Sequence, residues 1–480
     1  MTVVSEIHSD IGDGRAVAAR ADWADLARLV EGRVFLPGSP GFRVNSELFN
    51  RRYRDRRPAA VLSVHGVQDV RTAIRWARDR SVDIVARSGG HSFAGYSVND
   101  GLVLDLSRMG LAHADESTGL VTAGGGTRVG HIYDAVQPYE IAIPTGTSPR
   151  VGVAGLALGG GCAYASRKLG LTLDAMVETT VVTADGDVVV CDEKNDADLF
   201  WACRGGGGGN FGVNVSFVFQ ARPVPDVTTF DALWRWEDAA AVLTATQEVL
   251  AAAPDEFSVR MGVSTAGTTG GEIHGNRLVT IVGQYLGPAP ELAEILAPIH
   301  AVATPLSHSA VDRTYWEANR HLVHATSGDS FAMRNNYATH ALPAQALDEI
   351  CAWVDRWPGS SNTDGGGIGM FAWGGQINRV APDATAFVHR DTFFLASMDT
   401  SWTAADSTDV VAANLRWLDG FHSAMQPYLS DSVYQNFPDP DLADWSRAYY
   451  GANYPRLVEV KRRYDPDNVF RYQQSIGSDR

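Results

Sequence analysis

Four glycine-rich turns lie in the first half of this 480-residue chain, and one of them ends in a histidine. They are residues 88–91, 124–126, 159–161 and 205–209. Glycine lets the backbone approach a ligand closely and point successive N–H groups at an anion, as binding of a pyrophosphate requires. The Rossmann pattern G-x-G-x-x-G is not met where the first strand would demand it, and no P-loop sequence is present. The turns therefore indicate neither a standard NAD site nor a P-loop. The alternative is that the glycines only form tight turns in a β-rich domain.

Other catalytic patterns are weak or missing. The sequence has no H-E-x-x-H and no G-x-S-x-G motif, and its four cysteines form no C-x-x-C pair. His321, His324 and His340 could ligate a metal, but no carboxylate stands at ligand spacing beside them, which favours structural or solvated histidines. Asp439-Pro440-Asp441 resembles a calcium loop only superficially, because the turn glycine is missing. We therefore predict no metal site.

Charge and composition narrow the classes of partner. The net charge of −16 and the pI of about 5.2 give no overall attraction for nucleic acid or an anionic membrane. The N-terminal residues are acidic where a signal peptide is basic, and no apolar run is long enough to span a membrane. We predict a cytoplasmic protein, with a removed export signal as the alternative, and leave the oligomeric state open. A local arginine cluster is read as a solvated or cofactor-facing edge: Arg51, Arg52, Arg54, Arg56 and Arg57.

The elements around the turns alternate between short strands and helices. Residues 67–77 place apolar side chains on one helical face, and residues 83–86 form a strand that runs into the turn of His91. Residues 177–190 read as a hairpin around Asp185-Gly186, and residues 213–220 alternate as a half-buried strand. This half of the chain is the predicted cofactor domain.

The sequence pattern changes at Pro223 and Pro225, from short strands with glycine clusters to longer helices and hairpins with few of them. Beyond them we predict helices at 239–253 and 290–301 and strands at 258–263 and 278–285. The expected domains are a cofactor domain at 1–225 with its core at about 55–223, a substrate domain at 226–445, and a segment at 446–480 that returns to the first domain.

The turn that ends in His91 belongs to a longer motif. Arg87-Ser88-Gly89-Gly90-His91-Ser92 is followed by Gly95-Tyr96-Ser97 and a strand at 101–107. This order resembles the flavin site of the berberine-bridge-enzyme-like oxidases, within the vanillyl-alcohol-oxidase superfamily. Three further blocks, at 144–171, 198–212 and 449–476, extend the resemblance over nearly the whole chain.

The resemblance implies an α+β fold, with a PCMH-type FAD-binding domain of two α/β subdomains and a substrate domain whose antiparallel sheet is covered by helices. It also implies FAD, bonded covalently from the His91 ring to the flavin 8α-methyl carbon. An imidazole at the tip of a glycine turn can reach that edge of the flavin. The other residues implied to bind FAD are Arg87, Ser88, Gly89, Gly90, Ser92, Tyr96, Pro144, Gly146, Thr147, Val151, Gly152, Gly155, Leu158, Gly159, Gly160, Cys162, Gly209, Asn210, Phe211, Gly212, Val213, Asn453 and Tyr454.

A second covalent link is not expected. Many relatives form it from a cysteine just before the Gly-Gly-Gly turn, a position taken here by Leu158. Cys162 follows the glycines and is out of register. We therefore predict one link through His91, with Cys162 a buried structural thiol near the flavin.

The resemblance also suggests the catalytic groups. Hydride abstraction beside a hydroxyl or amine is helped by a base, and a tyrosine serves when positive charge or hydrogen bonds lower its pKa. The matching residues are Tyr434, which we favour, and Tyr449 or Tyr450. Residues 374–379 match the strand on which berberine-type enzymes carry a catalytic glutamate, but no glutamate is present, so Gln376, Asn378 and Arg379 are expected to orient substrate.

The leading hypothesis is an oxidase. Its small-molecule substrate reduces the flavin by hydride transfer, and O2 reoxidises the flavin with release of H2O2. A bulky, ring-containing natural product or a sugar is the expected substrate. A dehydrogenase with another electron acceptor shares every motif. A flavin enzyme that oxygenates or rearranges an intermediate, and a flavin-free carrier, are the remaining alternatives.

Overall fold

A four-stranded sheet carries the turn with His91. The computed structural model describes residues 21–265, 277–323 and 329–478. The sheet has the order β1-β2-β4-β3, with β1 antiparallel to β2 and the other pairs parallel. Its strands are β1 (Arg33–Phe35), β2 (Ala60–Ser63), β3 (Ile84–Arg87) and β4 (Leu102–Asp105). The helix Val67–Asp79 packs Val70, Ile74 and Ala77 into the same core as β2 and β4, as the apolar spacing predicted.

A second, antiparallel sheet follows, in the order β5-β6-β10-β8-β9. Strands β8 and β9 are the predicted hairpin, and β10 is the predicted alternating strand. A short pair of strands, β7 with β11, lies beside this sheet. The strands are β5 (Ala112–Asp115), β6 (Leu120–Gly124), β7 (Ile141–Ala142), β8 (Met176–Val182), β9 (Val188–Cys191), β10 (Val213–Gln220) and β11 (Arg222–Pro223).

Every strand described between residues 227 and 402 joins one antiparallel sheet, which we call the roof sheet. Its order is β15-β12-β14-β13-β17-β18-β16. The strands are β12 (Val227–Trp234), β13 (Phe257–Thr265), β14 (Arg277–Tyr285), β15 (Ser307–Arg313), β16 (Ser330–Ala338), β17 (Gly366–Ala372) and β18 (Phe394–Trp402).

Helices cover one face of the roof sheet. Along β13, Val259, Met261 and Val263 belong to the core shared with these helices, so Arg260 and Gly262 point to the opposite face. The face of the sheet that packs against the helices is therefore apolar, and the opposite face can form part of a site. The covering helices are Ala239–Ala252, Ala289–Val302, Ala344–Asp355 and Thr408–Met425.

The C-terminal segment packs against the first part of the chain. Leu457, Val460 and Ile476 share a core with Phe200 and Phe211. The buried Lys461 Nζ donates to the Asn210 carbonyl oxygen at 2.7 Å. These contacts agree with the predicted return of residues 446–480, while the exact domain boundaries stay a prediction. The shorter helices are Trp23–Leu29, Phe42–Ser46, Val129–Val136, Val153–Gly159, Ser166–Leu169, Ala197–Cys203, Tyr315–His321, Gln376–Arg379, Trp445–Tyr450 and Tyr454–Tyr464.

Candidate active site

A cavity of about 750 Å³ lies between two of the glycine-rich turns and the roof sheet. The turn of residues 88–92 lines one wall, and residues 207–209 line another. Strands β13, β17 and β18 contribute residues from the other side. A volume of this size suits a large cofactor or ligand.

Three glycines leave space that no protein atom fills. A Cβ on Gly155 or Gly209 would meet nothing within 4 Å, and one on Gly208 would come no closer than 3.8 Å to another atom. All three residues line the cavity. Packing of the protein therefore does not require glycine at Gly155 or Gly208, and the missing side chains keep room for a ligand.

Two serine hydroxyls that line the cavity lack hydrogen-bond partners among the described residues. The hydroxyls of Ser88 and Ser97 are buried, line the cavity and make no hydrogen bond to any described residue. Buried hydroxyls normally have a partner, because an unpaired one costs about 1–3 kcal/mol. A bound ligand with hydrogen-bonding groups would satisfy both.

The imidazole of His91 faces the cavity in its neutral form. Its ring stacks on Phe49, with ring centroids 4.0 Å apart. Burial, followed by the charges of Arg150 and Arg128, lowers the pKa of His91 to about 4. A neutral imidazole has a free electron pair on one ring nitrogen, so His91 can act as a nucleophile at neutral pH.

The roof sheet presents two charged side chains to the cavity. Asp399 on β18 stands in register with Gly367 on β17, which in turn pairs with Ser264 on β13. Burial raises the pKa of Asp399 to about 6, against the lowering effect of Arg260. A carboxyl group with this pKa can exchange a proton near neutral pH.

Comparisons with known proteins agree with this geometry. Residues 58–192 match an FAD binding domain, and residues 433–477 match the berberine and berberine-like family. The FAD-linked oxidoreductase YgaK of Bacillus subtilis is 32% identical over 93% of this chain and 96% of its own length. A chitooligosaccharide oxidase of Gibberella zeae is also 32% identical, over 92% of this chain and 91% of its own.

Comparison with a solved structure supports the same family through the fold. Glucooligosaccharide oxidase from Acremonium strictum, described with a 6-S-cysteinyl, 8α-N1-histidyl FAD, superposes with a TM-score of 0.83 at 27% identity. The match covers 94% of this chain and 98% of that chain. This chain belongs to the berberine-bridge-enzyme-like FAD-linked oxidoreductases.

As a member of this family, the protein is an FAD-dependent oxidoreductase with the predicted α+β, PCMH-type fold. The open glycine positions and the unpaired serine hydroxyls fit an FAD molecule. Most of the residues that the sequence assigned to FAD line the cavity. They are Ser88, Gly89, Gly90, His91, Ser92, Tyr96, Gly146, Thr147, Val151, Gly152, Gly155, Leu158, Cys162, Gly209 and Gly212.

The remaining assigned residues lie outside the cavity lining and support it from behind. Arg87 forms a buried ion pair with Asp105 at 2.6 Å. The Asn210 side chain accepts a hydrogen bond from Ile476 N at 2.9 Å, and Asn453 Nδ2 donates to the Pro382 carbonyl oxygen at 2.8 Å. The others are Pro144, Gly159, Gly160, Phe211, Val213 and Tyr454.

Two sequence interpretations require correction. The turns at 124–126 and 159–161 do not line the cavity. A Cβ at Gly124 or Gly126 would collide with the carbonyl oxygen of Met109 or Leu106, so these glycines permit close packing. Residues 376–379 form a short helix and not a roof strand. Gly374 and Gly375 adopt φ values of 86° and 57° and turn the chain away after β17.

As a result, Gln376, Asn378 and Arg379 do not line the cavity, and Arg379 pairs with Asp255 at 2.5 Å. Asn378 Nδ2 donates to the Thr392 carbonyl oxygen at 2.8 Å. The strand that does face the cavity is β17, immediately before the turn. The roles predicted for Gln376 and Asn378 therefore lack the required geometry.

Tyr434 reaches the cavity, but its surroundings differ from the expected ones. Its hydroxyl accepts hydrogen bonds from Gly161 N at 2.8 Å and Asn436 Nδ2 at 3.0 Å. Burial nevertheless raises the pKa of Tyr434 well above 10. The hydrogen bonds from Gly161 and Asn436 lower the pKa without offsetting burial, and no cationic side chain is among the causes of the shift. Tyr434 as the base stays a prediction. Burial likewise raises the pKa values of Tyr449 and Tyr450, which also line the cavity.

Cys162 lies where the sequence placed it, beside the cofactor space. Its thiol lies within hydrogen-bond reach of the Tyr434 hydroxyl, and burial raises the pKa of Cys162 to about 11. The thiol is therefore protonated at neutral pH and is a poor nucleophile.

The candidate metal ligands are dispersed. His321 lines the cavity, His340 is exposed, and His324 lies outside the described residues. Asp439 and Asp441 form ion pairs with Arg334 at 2.9 and 2.8 Å. Within the parts of the chain that the structure describes, no group of three or more His, Cys, Asp or Glu side chains could hold a metal ion, and no helix could cross a membrane. The cytoplasmic location stays a prediction.

Sequence reasoning missed Arg260 and Asp399. The alternation of apolar and polar residues along β13 carried a usable signal for Arg260, since Val259, Met261 and Val263 occupy the opposite face. No motif contains Asp399, which reaches the cavity only through the pairing of β17 with β18.

Proposed function

We propose that this protein is an oxidase that removes a hydride from an alcohol carbon, with FAD bonded to His91 and O2 as the electron acceptor. The observation that carries the proposal is that one cavity contains a neutral imidazole, an open glycine-lined wall and, on the roof sheet, a carboxyl group with a pKa near 6. When bound, FAD supplies the hydride acceptor. The residues of the chain have to hold it, exclude water and remove the hydroxyl proton.

His91 is proposed as the covalent anchor. The imidazole must be unprotonated to bond to carbon, and its low pKa keeps it in that form throughout the neutral range. The stacking of His91 on Phe49 restricts the ring to one plane. The high pKa of Cys162 supports a single link, because a protonated thiol does not attack carbon readily.

Asp399 is proposed as the proton acceptor. Its carboxylate would take the hydroxyl proton as the carbon–hydrogen bond breaks, which leaves a carbonyl product. We propose that Tyr434 instead positions the glycine turn, since its hydroxyl accepts the Gly161 N–H. Tyr450 has a similar arrangement, because its hydroxyl donates to the Gly206 carbonyl oxygen at 3.1 Å.

The substrate is proposed to be a sugar or another ring-containing alcohol. Chitooligosaccharide, glucooligosaccharide and xylooligosaccharide oxidases are all among the relatives. Aromatic rings and hydroxyl groups both face the cavity, as recognition of a ring-shaped polyol requires. Examples are Phe371, Phe437, Ser264, Ser397 and Tyr164.

The test begins with the purified holoenzyme under anaerobic conditions. Candidate alcohols and sugars are mixed with it, and loss of flavin absorbance identifies a substrate. Air is then admitted, and H2O2 is measured against substrate consumed. Equal amounts support the oxidase. Rapid dye reduction without H2O2 would favour a dehydrogenase, and a protein without any flavin would contradict the proposal as a whole.

A further inference from the structure

Arg260 lies in the roof with its charge unpaired. On the cavity side of β13, its guanidinium extends over the neighbouring strand: a Cβ on Gly369 would come within 2.9 Å of both Nε and Nη2. The Phe371 ring lies 5.0 Å from the guanidinium carbon. The glycine and the aromatic ring together hold the guanidinium in place.

No described residue pairs with this cation. Arg260 makes no ion pair and no hydrogen bond within the described parts of the chain, and its Nε is buried without a partner. Two buried arginines here form ion pairs, Arg390 with Asp174 at 2.7 Å and Arg334 with Asp439 at 2.9 Å, whereas the half-buried Arg260 forms none with a described residue. A buried charged donor without a partner is costly, so a ligand is expected to supply one.

Asp399, one of the acids that line the cavity, is not that partner. Asp399 influences Arg260 electrostatically, but the pair lies beyond the 4.0 Å of an ion pair. Arg260 and Asp399 are two strands and two side-chain rows apart on the same face, as the registers of β13, β17 and β18 show. The space between them is lined by Gly262 and Ser397.

A basic segment adjoins the same cavity. The short helix Arg51–Tyr53 contacts β16, and Asn50 Nδ2 donates to the carbonyl oxygen of Phe331, which lines the cavity, at 3.1 Å. The exposed Arg54 and Arg57 form no ion pair with a described residue. On a chain of net charge −16, these two exposed cations would favour approach of an anion.

We propose that Arg260 binds a carboxylate of the substrate, so that the enzyme oxidises alcohols that also carry a carboxylate, such as uronic acids. The planar guanidinium fork matches a carboxylate through two parallel hydrogen bonds. Asp399 would then face a hydroxyl elsewhere on the same molecule. This inference rests on the proposed function.

The test uses matched pairs of ligands and variants. D-glucuronate and D-glucose, D-galacturonate and D-galactose, and benzoate and benzyl alcohol are titrated anaerobically into the oxidised holoenzyme, and binding is followed through the flavin spectrum. The acids should bind more tightly than their neutral partners. Arg260→Gln should weaken acid binding by roughly 10- to 100-fold and change neutral binding less than about 2-fold, as expected for loss of a charged hydrogen-bonded pair.

Two further variants separate charge from folding. Arg260→Lys keeps the charge without the fork and should give an intermediate loss. Arg277→Gln removes an arginine of the adjacent strand that pairs with Asp355 at 2.9 Å, and should leave acid binding unchanged. Equal binding of acid and neutral partners, or no spectral response to any acid, would overturn the carboxylate assignment. Reduction of the flavin by neutral sugars in that case would leave the oxidase proposal standing.

Discussion

The cavity wall formed by residues 88–93, Gly155 and residues 207–209, which we call the cofactor wall, is built differently from the roof sheet. On the cofactor wall, residues that follow one another in the chain act together, since residues 88–93 all line the cavity. On the roof, Arg260 and Asp399 come from strands that are far apart in sequence and share one face only through sheet register. Glycine also differs in role, since Gly155 leaves space for a ligand while Gly369 provides a surface for a guanidinium. The wall can therefore be found from a local motif, whereas the roof depends on how strands pair.

Removing His91 should have the largest effect on the cofactor wall. His91→Ala should release all of its flavin on acid precipitation, because no covalent bond would hold it, while the wild-type pellet stays yellow. Absorbance of the supernatant measures this. His113→Ala, an exposed histidine on β5, is the matched control. Acid-stable flavin in His91→Ala would place the link elsewhere.

Changing Asp399 should have the next largest effect, on the roof. Asp399→Asn should slow flavin reduction by roughly 100- to 10,000-fold, as expected for loss of a general base. A base works ionised, so the wild-type rate should rise with pH through its pKa of about 6, and the variant should lose this rise. Stopped-flow reduction measures both. Asp355→Asn is the control. If flavin reduction is slower in Tyr434→Phe than in Asp399→Asn, the tyrosine and not Asp399 is the base.

Filling the space beside Gly155 tests whether the cofactor wall has to stay open for FAD to bind. Gly155→Leu puts a side chain into the cavity from the helix Val153–Gly159 and should cut FAD content at least about 10-fold. The apoprotein should not lose stability, because leucine is a strong helix former whereas glycine costs about 0.8–1 kcal/mol relative to alanine inside a helix. Flavin-to-protein absorbance and thermal unfolding measure these effects. Gly66→Leu, also without neighbours within 4 Å, is the control.

Removing the Tyr434 hydroxyl should produce a moderate loss of stability. Tyr434→Phe leaves the buried Gly161 N–H without its acceptor, which costs about 1–3 kcal/mol of unfolding free energy. Chemical denaturation of the holoenzyme measures the change. An unchanged stability would mean that the hydroxyl does not anchor the glycine turn.

The smallest expected effect concerns the charge near His91. Arg150→Gln removes one of the two cations that lower the pKa of His91, so this pKa should rise slightly, with burial still the main cause. Covalent incorporation of FAD needs the neutral ring and fails as pH falls through that pKa. The wild-type rate should stay level to about pH 5, and the variant should decline at a slightly higher pH. Identical profiles would show that Arg150 does not influence the ring.

Much of the fold could be predicted from local patterns. The helix Val67–Asp79 and the hairpin of β8 and β9 follow apolar spacing and a turn pair within one short segment. Residues 376–379 could not be placed in the same way. A strand was expected there, but two glycines with positive φ redirect the chain, and backbone conformation at glycine is set by tertiary contacts as much as by sequence.

The sequence by itself determined the family, the cofactor and the position of His91, because these depend on residues that are neighbours along the chain. Tertiary structure decided that Arg260 and Asp399 line the cavity and that the Tyr434 hydroxyl is buried against the Gly161 N–H. Burial and cross-strand register depend on segments that are far apart in sequence, so only the folded chain defines them.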